Sequence, residues 1–199
     1  MSAVGRQTQS ERAAGPVVYK SALWIEAVKT GGMLVQASGL GSLRKTDDGH
    51  FEAQLLIPGW ALNRVEAGQT ASTNTRKGIV SGKVIRTYPM KDNGAFQVDV
   101  SLEGKLPDGL QNATPVEGFV RLGRIDDTLY VGRPAIAAPN SKVSIFKVAE
   151  DGKTATRVWV QFGENSVNTL QVLNGLQVGD KIILSDMSAY DSFDSIRLN

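Results

Sequence analysis

The sequence predicts an all-β protein, and three features carry that prediction. Short runs alternate apolar and polar residues with a period of two, Gly, Asn, Asp and Pro punctuate them, and no long stretch keeps a helical period. The cleanest run is "AFQVDVSL", where Phe96, Val98, Val100 and Leu102 are set to face inward and Gln97, Asp99 and Ser101 outward. Strands at this spacing, without intervening long helices, argue for a sandwich or barrel and against βαβ units.

The elements follow in order. The opening "MSAVGRQTQSERAAGP" is polar and lacks an apolar signal core, so residues 1–16 are expected to form a disordered tail. "ALWIEAVKTGGMLVQASGLGSL" supplies N-terminal strands, with breaks expected at Gly39 and Gly41. Asp48-Gly49 tolerates the positive φ of a tight turn and closes a hairpin onto "FEAQLLIP". There Phe51, Ala53, Leu55 and Ile57 alternate with Glu52, Gln54 and Leu56. After Pro58, Ala61, Leu62 and Val65 predict a two-turn helix ended by Gly68. "IVSGKVIRTY", "PVEGFVRLG", "KVSIFKV", "ATRVWVQF", "NTLQVL" and "DKIILS" read as further strands. Asn93-Gly94, Pro107-Asp108-Gly109, Asp151-Gly152 and Asn174-Gly175 mark the turns. Arg133–Lys142 holds two prolines and no period, which makes it a domain boundary or surface loop. Near the end, Tyr190, Phe193 and Ile196 lie three apart, as in a single capped turn before a last short strand.

Composition removes several function classes. A net charge of +2 without a Lys/Arg cluster argues against nucleic acid. The absence of cysteine excludes disulfides and thiolate chemistry. The sole histidine, His50, sits in the turn and cannot supply a zinc ligand set, and no serine lies in a nucleophile elbow. The acidic pairs Asp47-Asp48 and Asp126-Asp127 read as turn formers. "GLG" at 39–41 lacks the third glycine and following helix of a phosphate loop. Trp24, Trp60 and Trp159 are too dispersed for a stacking platform and are expected in a core or interface. No run approaches the ~18 apolar residues of a membrane span. Neither catalytic residues nor a cofactor or metal site is expected.

Three stretches, in order, resemble the periplasmic adaptor (membrane fusion, HlyD-like) family of bacterial efflux and export pumps. They are "FEAQLLIPGWALNRVEAGQTASTNTRKGIVSGKVIRTYP", "LYVGRPAIAAPNSKVSIFKVAEDGKTATRVWVQFG" and "NTLQVLNGLQVGDKIILSDMSAYDSFDSIRLN". The last is most similar to members that serve macrolide-exporter-type ABC permeases. The family pattern has an extended strand, a short helix and a "GQ-A-x-x-x-TR" strand entering a barrel. The chain departs from that pattern at one place. After "GLG-L" the family runs out through half of a lipoyl-like domain, an α-helical hairpin and the other lipoyl half. Here "RKTDDGH" stands in place of that excursion.

The resemblance implies a six-stranded β-barrel with one short helix, plus a membrane-proximal β module built from N- and C-terminal segments. It places N-terminal strands of that module and the short-circuit hairpin at 17–50, the barrel at 51–129 and the membrane-proximal domain at 130–199. It implies a non-catalytic adaptor in the periplasm, associated with the inner membrane, although this chain shows neither signal nor anchor. The implied partners are an inner-membrane ABC or RND transporter and further copies in a ring. Contact with an outer-membrane duct is not expected without the hairpin. Arg133, Pro134, Pro139, Asn140 and Lys142 are the candidate partner-contact loop, since loops on rigid β scaffolds commonly carry recognition. The competing reading is a small-ligand or carbohydrate-binding β module, which needs Trp60, Trp159 and Tyr88 to converge on a concave pocket.

Overall fold

The structure, a computed structural model, describes residues 15–90 and 94–199. Most of the expected tail, and Asn93 of the Asn93-Gly94 turn, lie outside the described residues. The strands in chain order are β1 (Val17–Val18), β2 (Ile25–Ala27), β3 (Lys29–Lys45), β4 (Phe51–Pro58), β5 (Thr70–Asn74), β6 (Ile79–Met90) and β7 (Ala95–Leu102). They continue as β8 (Pro115–Gly132), β9 (Lys142–Val148), β10 (Thr154–Asn165), β11 (Thr169–Asn174), β12 (Lys181–Ile183) and β13 (Ser195–Leu198). Two units result. One holds Leu34–Ile125 and Asn165–Val167, and the other holds the described residues up to Met33, Asp126–Glu164 and Asn168–Asn199. The units divide inside β3 and inside β8; the resemblance implied divisions after residues 50 and 129. Both strands are long and run through the passage without a break. Gly39 and Gly41 lie within continuous β3, and Asp126-Asp127 lies within β8 and not in a turn.

The first unit is a closed six-stranded antiparallel barrel, with strand order β3-β4-β7-β6-β5-β8 and β8 returning to β3. Its interior is set by alternation. Ala53, Leu55 and Ile57 of β4 and Phe96, Val98 and Val100 of β7 are all 0% exposed. β4 and β7 pair with Leu55 opposite Val98 and Ile57 opposite Phe96, so the two apolar rows face each other's neighbours across one core. Leu55 fills the space that Gly118 leaves: a Cβ there would sit 2.1 Å from Leu55 Cδ1. Thr46–His50 closes the β3–β4 hairpin. Gly49 N–H donates to Thr46 O at 2.9 Å, and Gly49 adopts φ +89, the role the sequence assigned it. The Thr46 hydroxyl also donates to Asp48, which holds that carboxyl below its ordinary value.

The helix expected after Pro58 is a 3₁₀ segment, Gly59–Arg64, and not an α-helix. A segment this short gains too few hydrogen bonds to offset α-nucleation. Gln69 finishes it, its amide donating to Arg64 O at 2.8 Å and its carbonyl accepting from Glu66 N–H at 3.0 Å. Gly68 follows at φ +90, as its place after the segment predicted.

Thr73 departs from the apolar rule inside the barrel. It is 0% exposed between Val80 and Gly118, and among the described residues its hydroxyl has no hydrogen-bond partner. Thr73→Val removes that unpaired group while keeping the branched shape. It is expected to stabilise the barrel by about 1 kcal/mol. A thermal melt checks this, and a lowered midpoint would mean that the hydroxyl is bonded.

The second unit is discontinuous in sequence, as the resemblance implied. β2 pairs antiparallel with β12, Ile25 opposite Ile183, and β1 pairs parallel with β13. β12 joins β9, β9 joins β10, and β10 is followed by β11 and then the end of β8. β13 lies against the start of β10. Two apolar clusters hold the unit, one around Val131, Val160, Phe162 and Leu170, the other around Phe146, Ala155, Ile183 and Ile196. A 3₁₀ turn at Ser188–Tyr190 precedes the last strand, matching the expected closing turn.

Candidate partner-contact face

The Arg133–Lys142 loop belongs to the second unit and is tied down along its length. Arg133 N–H donates to Asn168 O, Ala135 N–H to Leu184 O and Asn140 N–H to Gly163 O, each at 2.9 Å. Asn140 takes φ +55, a left-handed conformation that asparagine tolerates. The Ser141 hydroxyl donates to Ala138 O at 2.6 Å, and Ser141 O accepts from Phe162 N–H. Pro134 is buried and Pro139 half-buried, while Arg133, Asn140 and Lys142 are exposed. The loop is thus held in one shape with its polar residues outward.

Beside it, β10 presents an outer face. Val158, Val160 and Phe162 turn to one core, so alternation sends Arg157, Trp159 and Gln161 to the other face, where Trp159 is exposed and Arg157 is largely covered. Trp159 is 64% exposed, with Ser144 opposite on β9, and Lys142 Nζ lies 5.8 Å from its ring centroid. Ile136 in the loop is 50% exposed. Trp159 was legible from alternation in "ATRVWVQF". Ile136 was not, because the loop has no period.

Pro134 and Ile136 also line a narrow slot with Ser144, Phe146, Arg157 and Met187. Its interior has room for roughly one water. Arg157 dominates one wall. It donates to Phe193 O at 2.9 Å, Tyr190 O at 3.2 Å and the Asp191 carboxylate at 2.8 Å, and lies 4.4 Å from the Phe146 ring centroid. These bonds pin residues 190–193 to the sheet.

The barrel carries a charged cluster on its outer wall. Asp99 was expected to face solvent. It does point outward, but it is 0% exposed, because its neighbours cover it. Tyr88 Oη donates to it at 2.8 Å, Gln97 Nε2 at 2.9 Å and Arg86 at 3.2 Å, with Arg44 4.0 Å away. Arg44 pairs with Glu52, which raises the guanidinium further above its ordinary pKa. The hydrogen bond to Asp99 raises the Tyr88 phenol. Period-two reasoning finds the face but not its cover.

His50 is exposed in its turn. Among the described residues no group of three or more His, Asp or Glu side chains is placed to hold a metal ion. Trp24, Trp60 and Trp159 are 65%, 45% and 64% exposed, so none is a core residue. Trp60 and Tyr88 lie in the barrel unit and Trp159 in the other, so neither unit holds all three aromatics of the ligand-binding reading. Among the described residues no helix is long and apolar enough to cross a membrane.

No family model and no curated protein matches the chain. Solved structures overlap it in part. MacA from Actinobacillus actinomycetemcomitans is 15% identical over 69% of this chain and 43% of its own, with a TM-score of 0.41. ZneB from Cupriavidus metallidurans is 17% identical over 69% and 41%, with a TM-score of 0.34. A MacA-MexA chimera containing the Pseudomonas aeruginosa MexA α-hairpin domain is 14% identical over 68% and 45%, with a TM-score of 0.39. The chain spans less than half the length of each. Likeness at that level bears on neither activity nor partners.

Proposed function

We propose that this chain is a non-catalytic adaptor subunit, a membrane fusion protein, of a bacterial efflux or export pump. What supports the reading is the ordered set of family-like stretches, together with the place of the Thr46–His50 turn. That turn joins β3 to β4 of a six-stranded barrel at the point where the family's lipoyl and hairpin excursion departs and returns. In this reading the second unit is the membrane-proximal module, and the protein works in the periplasm beside the inner membrane. It docks on an ABC or RND transporter, the macrolide-exporter ABC type being the first choice, and assembles with further copies into a ring. The transporter supplies the energy, so the adaptor needs no cofactor.

The contact is the Arg133–Lys142 loop with Ile136 and Trp159 beside it. An exposed tryptophan next to a loop held in one shape is the kind of anchor that dominates interfaces. Binding of the whole chain to immobilised periplasmic domains of ABC and RND transporters tests this. Trp159→Ala and Lys142→Glu are each expected to weaken transporter binding about tenfold or more. Binding to an outer-membrane duct with none to either transporter would overturn it.

A further inference from the structure

β6 contains two irregularities, and the first brings Arg86 and Tyr88 to Asp99, while the second spans Pro89, which has no N–H for the ladder. Val80, Gly82 and Val84 turn into the barrel, so strict alternation would carry Arg86 and Tyr88 inward as well. That does not happen. The β6–β7 register shifts once between Val84 and Arg86, and again between Thr87 and Met90. The first shift inserts Ile85 and sets Arg86 opposite Asp99 on the outer wall, where Arg86 and Tyr88 both reach its carboxylate. A bulge inserts one residue and re-aims those that follow it, and a one-residue slip sends a strand's side chains to the other face. No glycine stands at Ile85 to favour the bulge locally, so its position needs another cause.

We infer that Asp99 is a register lock: an outward carboxylate that Arg86 and Tyr88 reach together only when β6 is bulged at Ile85. The neighbouring strands complete the clamp, Arg44 from β3, Glu52 and Gln54 from β4 and Gln97 from β7 itself. Buried ionic groups often contribute little net stability, and specifying register is their best-attested use. This role holds whether or not the chain serves a transporter.

The test is amide exchange and ¹⁵N–¹H correlation spectra of the whole chain. Asp99→Leu is expected to double or broaden the resonances of Ile85–Tyr88 and Ala95–Val98. Exchange at Arg86–Tyr88 should rise about tenfold relative to β4 and β5. Asp99→Asn, which keeps an acceptor, should retain a single set of resonances. Should Asp99→Leu fail to fold, the double variant Arg86→Met/Tyr88→Phe removes the β6 side of the lock at partly exposed positions and decides the matter by the same readings. One sharp set of resonances in Asp99→Leu, or in Arg86→Met/Tyr88→Phe where the leucine variant does not fold, would overturn the lock. So would an exchange increase spread evenly over β4, β5 and β8, which would make the cluster a general stabiliser.

Discussion

Val98→Asp is expected to unfold the barrel. Val98 is 0% exposed, opposite Leu55 on β4 and Thr87 on β6, in the middle of the apolar row. The substitution loses the burial of a valine, about 1.5–3 kcal/mol, and adds a carboxylate that no buried Lys or Arg among the described residues can pair. The sum is comparable to the whole stability of a small domain, about 5–15 kcal/mol. Circular dichroism should show loss of the cooperative β transition. A melt like the wild type's would mean that Val98 does not point inward.

The second large effect falls in the other unit. Arg157→Ala removes the guanidinium that holds Phe193 O, Tyr190 O and the Asp191 carboxylate and covers the Phe146 ring. Hydrogen bonds to a charged group contribute about 1.5–3 kcal/mol each and do not add fully, so a loss of about 3–5 kcal/mol is expected. Arg157→Lys should recover only part of it, because an ammonium cannot span three acceptors held by a planar fork. The Ser188–Asp194 segment should become the first site of proteolytic cutting. Equal cutting rates for wild type and Arg157→Ala would show that other contacts hold this segment.

Much of the barrel was legible in the chain, because a half-buried strand writes its burial directly as period two. Phe96, Val98 and Val100, and Ala53, Leu55 and Ile57, face the core as their alternation says. Asp48-Gly49 announced its hairpin because positive φ is a local property of glycine. The helix after Pro58 was over-read, since apolar spacing alone does not separate a 3₁₀ turn from two α-turns. On the candidate face, alternation exposes Trp159, but its nearness to Lys142 and the tied loop is a matter of strand pairing.

By itself, then, the sequence determined the all-β class, the inward rows and the tight turns, while the joining of N- and C-terminal strands in one unit was implied only by the resemblance. Each depends on local conformation or on a pattern repeated along a single strand. Only the tertiary structure decided that Asp99 is covered, that β6 bulges at Ile85, that β3 and β8 serve both units, and that Arg157 holds the closing turn. Those features arise between strands far apart in the chain. A carboxylate in a period-two run reads as solvent-facing until the strands beside it bring two arginines and a tyrosine over it.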